Sequence, residues 1–362
     1  MRFRPDARLT ALAAAALFGA TTPLAKLLLG NMSAFMVAGL FYLGSGAGLG
    51  AAIVMRHLRH VRHAKNDKPD AGGERHVSSF PGKNGWPWLI GAIAAGGIAG
   101  PALLMLGLSH TSAATASLLL NLEGVLTAVI AWVVFRENVD LPVLLGMLAI
   151  VAASVLLSYD GLASLSSGAW LIALACLCWA IDNNLTRNVA THDAVTIACL
   201  KGLVAGAVNL TLALLNGAAF PGVRLTLAAM ATGLAGYGAS LVLFVVALRH
   251  LGTARTSAYF SVAPLIGVVL SLLVWPDMPP ATFWLALALM ALGVWLHARE
   301  RHVHEHTHEY LEHAHRHRHD EHHQHAHDFP YTGDASHTHA HVHLPVTHTH
   351  AHYPDVGHRH RH

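Results

Sequence analysis

Ten apolar runs, most of them near twenty residues long, leave this chain few ways to fold. They fall at about 9–30, 33–55, 87–108, 113–135, 141–158, 168–188, 194–216, 224–248, 255–274 and 280–297. A run of that length matches the roughly 30 Å of hydrocarbon in a bilayer. Lipid satisfies no backbone N–H or C=O, so each run is a predicted α-helix. The expected fold class is all-α and integral to a membrane. Charged residues are 12% of the chain, about half the usual share in soluble domains. The first run follows Arg2, Arg4 and Arg8. It is longer than a signal-peptide core and has no convincing cleavage site after it, so it reads as a retained helix.

Residues 95–156 and 235–296 read as one membrane segment written twice. At a fixed offset of 140, SLLLNLEGVLTAVIAWVVFRE (117–137) lies over SAYFSVAPLIGVVLSLLVWPD (257–277) without a gap. Ser117 meets Ser257, Val129 meets Val269, Val134 meets Val274, Glu137 meets Asp277, and upstream His110 meets His250. Each copy holds five runs, and an odd number turns the second copy upside down in the bilayer. The prediction is ten transmembrane helices in two inverted five-helix repeats, residues 1–158 and 168–297. Inverted repeats are the architecture of alternating-access carriers, with the site between the halves.

Lysine and arginine set the orientation. With the N-terminus inside, 20 of the 23 lie on or at the edge of the cytoplasmic side; Lys26, Lys201 and Arg224 are the others. The expected location is the inner (plasma) membrane, multi-pass, with both termini cytoplasmic. The net charge of +3 gathers on the inner face and suits anionic lipid, with no nucleic-acid partner. Cys176 and Cys178 point about 200° apart on a helix, so with Cys199 they are expected to be free thiols filling core space.

Two stretches break the pattern. Residues 56–86 form a basic, histidine-containing cytoplasmic loop absent from the second copy. Residues 298–362 hold 22 of the 30 histidines, as HVHEHTH (302–308), HAHRHRH (313–319), HTHAHVH (337–343) and HTHAH (348–352). The tail is too polar to bury a core and is expected to be disordered. Neutral imidazole is a good ligand for divalent transition metals. The predicted metal ligands are His302, His304, His306, His308, His313, His315, His317, His319, His337, His339, His341 and His343. They are paired either along an extended chain or at i, i+4 on a helical turn.

FGATTPLAK (18–26) lies over WAIDNNLTR (179–187), an aromatic, a small residue, a polar pair and a terminal cation in the same order in both. This arrangement, with the acidic ends FRE (135–137) and WPD (275–277), resembles the EamA-type families of the drug/metabolite transporter superfamily. The resemblance covers about residues 9–297 and excludes the tail. It implies ten helices in two repeats, a central substrate cavity between the halves, and export. Phe18 stands where the family's tryptophan is usual, and the Asp182-Asn183-Asn184 run is more polar than the pattern.

Charges within the runs are the candidates for chemistry. Glu123 lies near the middle of its run, where a charge costs about 2.5–3.5 kcal/mol on insertion scales. It is either a coupling or cation-contacting carboxylate, or half of an ion pair with Lys201 or Arg187. Asp182 and Asn183, with Trp179 one turn away, suit a cavity face for an amine or amino acid, or interhelical hydrogen bonding. Lys201 is placed to meet an anionic group or to snorkel. Lys26 and Arg187 lie near span ends, where snorkelling or helix C-terminal pairing is favoured. Glycine pairs such as Gly44/Gly48, Gly46/Gly50, Gly96/Gly100 and Gly202/Gly206 predict close helix approach.

No nucleotide-binding motif and no catalytic constellation is present, so the chain reads as a non-enzyme needing no cofactor. The leading reading is a secondary transporter exporting a small amine- or amino-acid-like metabolite, with a cytoplasmic tail that binds divalent transition metal. The alternatives are efflux of nickel, cobalt, zinc or a metal chelate, and a membrane-bound metal store or sensor without transport. Its partners are the lipid bilayer and a small-molecule or metal substrate; monomer and homodimer both stay open.

Overall fold

The computed structural model describes residues 6–64, 85–135, 141–158, 166–186, 193–251, 256, 259–276 and 278–298, and four strands beyond them. The chain divides into two units, Met1–Glu300 and Arg301–His362.

The first unit is helical among its described residues. Eight helices are long and apolar enough to cross a membrane: α1 Ala7–Leu29, α2 Ala34–Leu58, α3 Trp86–Ser109, α4 Ala113–Val134, α5 Leu141–Ser158, α6 Ser167–Thr186, α7 Val195–Leu215 and α8 Val223–Ala247. Two shorter apolar helices follow, α9 Ala263–Val274 and α10 Ala281–Leu296. The ninth run was expected from 255. It is interrupted instead by a turn at Ser261–Val262, after which Pro264 sits in the first turn of α9, where a missing N–H costs nothing. The polar loop expected from 56 also begins later, because helical structure continues through Ala64; residues 65–84 lie outside the described ones.

Large apolar side chains occur on both the inner and outer surfaces of the unit. Phe41, Met36, Met105, Leu108 and Ile172 are fully buried. Val133 is 68% exposed and Leu273 is 74% exposed. Such an exterior has no place in water, but lipid tails are as apolar as these side chains. With hydrophobicity equal inside and out, packing has to come from shape.

Glycine supplies that shape where α2 lies along α7. A Cβ on Gly46 would stand 2.6 Å from the Leu203 backbone nitrogen, and one on Gly206 would stand 2.6 Å from that of Leu43. The expected close approach is therefore found, between these two helices. α5 lies along α10, joined by Val143, Met147 and Ile150 against Phe283, Ala286 and Met290.

The remaining packing has a pattern. α3 packs on α6 as α1 does on α8; α4 packs on α6 as α9 does on α1; and α8 packs on α2 as α3 does on α7. Exchanging each helix with the one five places on leaves this set unchanged. Local irregularities repeat as well. A π-helical segment runs Ile93–Ala99 in α3 and Leu234–Ala239 in α8. Turns interrupt α4 at Leu120–Asn121 and the ninth run at Ser261–Val262.

The second unit holds the histidine tail. Described residues of the tail form strands β1 His302–His308, β2 Leu311–His317, β3 His337–His343 and β4 Val346–His352. β1 pairs antiparallel with β4, and β2 with β3. Strict His-x-His alternation has the period of a strand, and interleaved Val and Thr favour it.

Candidate functional site

α4 is two half-helices. The break at Leu120–Asn121 is held by the Asn121 side chain, which donates to the Leu118 carbonyl at 3.1 Å. Glu123 therefore sits in the first turn of the second half, where free N–H groups and the helix dipole favour a carboxylate. Its Oε1 accepts from Asn183 Nδ2 at 2.9 Å. Asn183 also reaches Thr127 Oγ1 at 3.4 Å. The neighbouring Asn184 donates to the Thr127 carbonyl at 3.3 Å and to that of Ala180 at 2.8 Å. The α4–α6 seam is thus a polar ladder with Glu123 at one end.

The other predicted charges go to each other. Lys201 on α7 pairs with Asp182 on α6. Asp182 Oδ1 also accepts from Thr186 Oγ1 at 3.0 Å, and its carboxyl is packed against Gly96, where any Cβ would overlap it. Lys201 is therefore not the partner of Glu123; Arg187, the other candidate, lies outside the described residues. No lysine, arginine or histidine among the described residues pairs with Glu123.

Trp179 joins this group through the π segment of α3. A π turn withdraws carbonyls from the normal ladder, and the Gly96 carbonyl is used twice. Trp179 Nε1 and Tyr42 Oη both donate to it at 2.9 Å. Trp179→Phe should cost about 1 kcal/mol of stability, read as a small drop in melting temperature, because Tyr42 still satisfies the carbonyl.

Sequence reasoning missed the aromatic side of the site. Tyr237, in the second π segment, lies 5.3 Å from Tyr42, 5.8 Å from Phe41 and 6.1 Å from Phe18 between ring centroids. Phe18 continues to Phe260 at 5.4 Å, and Phe260 to Phe244 at 5.0 Å. A signal was available, since tyrosine in a membrane helix is usual at the interface and both Tyr42 and Tyr237 are mid-run.

The other polar side chains among the described residues make local contacts. Lys26 donates to the Leu108 carbonyl at 2.5 Å and reaches that of Ser109 at 3.4 Å, closing the C-terminal end of α3 as expected. It also lines a cavity of about 480 Å³ with Ser112, Thr115, Trp275 and Phe283. Arg56 reaches Asp193 at 3.5 Å, just before α7. Burial opposes the Asp193 charge, but the Thr196 hydroxyl at 2.7 Å and Arg56 together hold its carboxyl below the usual range. The stability this adds is present at neutral pH and is lost as pH falls through the lowered value. The three cysteines are free. Cys176 and Cys199 are buried and touch the carbonyls of Leu119 and Gly46. No group of three or more His, Cys, Asp or Glu side chains fit for a metal comes together among the described residues of the membrane unit.

Comparison with known proteins matches this arrangement to a family twice over. The EamA-like transporter family matches residues 7–159 and again residues 166–299. The chain belongs to this family. It is 27% identical over 183 residues to an uncharacterized transporter of Methanothermobacter thermautotrophicus, covering 48% of this chain and 53% of that one. It is 25% identical over 185 residues to the uncharacterized transporter YyaM of Bacillus subtilis, covering 47% and 59%. The chain thus spans between half and three-fifths of the length of these curated relatives. A solved crystal structure superposes with a TM-score of 0.56 at 20% identity, covering 81% of this chain and 96% of that one; this likeness is one of fold. The chain is a multi-pass membrane protein of a transporter family.

Proposed function

We propose that this EamA-family protein is a secondary transporter exporting a small amine- or amino-acid-like metabolite. Its ten helices cross the plasma (inner) membrane as two inverted five-helix repeats, with both ends of the chain cytoplasmic. The doubled family match, the exchange-invariant packing and the paired π segments support the repeat. α9 and α10 count as crossings because a bilayer thins around short spans at modest cost.

One observation carries the substrate reading. Glu123 is a mid-span carboxylate held by an asparagine and unpaired with any cation among the described residues, in a membrane unit that also holds an aromatic cluster around Tyr237. A carboxylate and ring faces together recognise an ammonium group, and a mid-membrane acid is a functional group by default. Glu123 binds the amine or a coupling proton, Asn183 orients it, and Trp179, Tyr42 and Tyr237 supply the aromatic faces. Asp182 and Lys201 hold α6 to α7 beside it. The histidine tail binds divalent transition metal and buffers or gates on the cytoplasmic side.

The test compares the full chain, Glu123→Gln and a truncation after Glu300 for metabolite export and cellular metal. Glu123→Gln should reduce export to background with the protein still folded. The truncation should keep export and lower the metal held. A silent Glu123→Gln, with every metal effect following the truncation, overturns the transport site. Loss of metal efflux in Glu123→Gln makes metal the cargo.

A further inference from the structure

The tail's histidines are arranged as a mirror. β1 pairs with β4 so that His302 stands opposite His352, His304 opposite His350 and His306 opposite His348. β2 pairs with β3 so that His313 stands opposite His341, His315 opposite His339 and His317 opposite His337. All six pairs are centred on residue 327 and share one register, although they belong to two separate sheets. The arms also change phase together. Histidines fall on even numbers from 302 to 308 and on odd ones from 313 to 319. In the returning arm they are odd up to 343 and even from 348. A change of phase in one arm alone would move its histidines to the opposite face. Matched changes keep histidine facing histidine on both sides of the break. The pattern lapses beside the break, where His308 faces Val346 and His343 faces Leu311.

We propose that the tail is a metal-binding hairpin with two histidine plates, each taking a divalent transition metal between opposed strands. The proposal rests on the metal-binding reading of the tail and makes it residue-specific. Directly opposed residues of an antiparallel pair have Cβ atoms about 4.5–5.5 Å apart, and metal–imidazole bonds are about 2.0–2.1 Å. One opposed pair can therefore grip one ion, and two successive pairs on one face supply four nitrogens. Tetragonal or tetrahedral nitrogen sets suit nickel, copper and zinc. The plates are His302, His304 and His306 with their partners on β4, and His313, His315 and His317 with theirs on β3. His348, His350 and His352 become ligands. His308 and His343 have no histidine opposite them.

The test keeps the full-length protein and its histidine count. Ni²⁺ is titrated calorimetrically, and amide hydrogen exchange is followed over 302–317 and 337–352. In a shifted variant, His337→Thr with Thr338→His, His339→Ala with Ala340→His, and His341→Val with Val342→His move β3's histidines by one residue. Pre-paired strands give chelation its effective concentration, so the shift should weaken one plate about 10²-fold. Exchange protection between β2 and β3 should fall, while β1 and β4 are unaffected. A compensating shift in β2, His313→Glu with Glu312→His, His315→Ala with Ala314→His, and His317→Arg with Arg316→His, should restore binding on the other face. Equal Ni²⁺ affinity before and after the first shift would mean an unpaired chain binds metal, which overturns the hairpin and spares the metal reading. No Ni²⁺ binding by the unaltered chain overturns both.

Discussion

Gly202→Leu is expected to leave no folded protein. In lipid, helices gain nothing by hiding apolar surface from one another, so contact depends on how closely backbones approach. A Cβ on Gly202 would stand 2.8 Å from both the nitrogen and the Cα of Gly46, and 2.9 Å from the Tyr42 carbonyl oxygen. These are backbone atoms and cannot rotate away. The same crowding recurs one and two turns along, where Cβ atoms on Gly206 and Gly39 would meet Leu43 and Leu210 backbone nitrogens at 2.6 Å and 2.7 Å. A leucine at Gly202 has to push α2 off α7 along this seam. Gly202→Ala and Gly46→Ala should each cost about 1–3 kcal/mol or more by overpacking, read as a lower melting temperature in detergent. Gly124→Ala is the control, because nothing lies within 4 Å of its added methyl; it should fold and melt as the parent does. If Gly202→Leu elutes as a monodisperse species with unchanged melting, the α2–α7 seam is not built this way.

That seam was legible in the sequence because small-xxx-small spacing is a one-dimensional pattern with one physical meaning. The helices were legible for the same reason, since runs near twenty residues suit the bilayer. The site was legible only in part. Glu123, Asp182, Asn183, Trp179 and Lys201 stood out as polar or aromatic residues at costly depth, and all five lie along α4, α6 and α7. Their partnerships did not stand out. Whether Lys201 meets Glu123 or Asp182 depends on helix rotation and tilt, which are set by packing. The Gly96 carbonyl became an acceptor for Trp179 and Tyr42 only through a π segment, and Ile-Ala-Ala-Gly-Gly-Ile-Ala carries no code for one. Tyr237 reaches the cluster through the matching irregularity in α8. In the tail, the histidine spacing was visible while the mirror was not, because it appears only when residues twenty to fifty apart are compared.

Lys201→Met should destabilise the protein by about 3–5 kcal/mol, the usual result of breaking a buried pair by removing one partner. The Asp182 side chain is 5% exposed and that of Lys201 is 21% exposed. Once alone, Asp182 keeps the Thr186 hydrogen bond at 3.0 Å, but it cannot withdraw because Gly96 closes over it. Its charge would have to be neutralised by a proton or carried unpaired. The double variant Asp182→Leu with Lys201→Met removes both charges and should regain much of the loss, since an apolar pair of similar volume often equals a buried ion pair. Thermal melting of the two single variants and the double in one detergent gives the coupling energy directly. The double variant also separates the two roles the pair could hold. If it folds and still exports, the pair fastens α6 to α7 and positions Asn183 for Glu123. If it folds as well as the parent and export is lost, the pair belongs to the coupling machinery itself. Strictly additive single effects would mean that no pair exists to break.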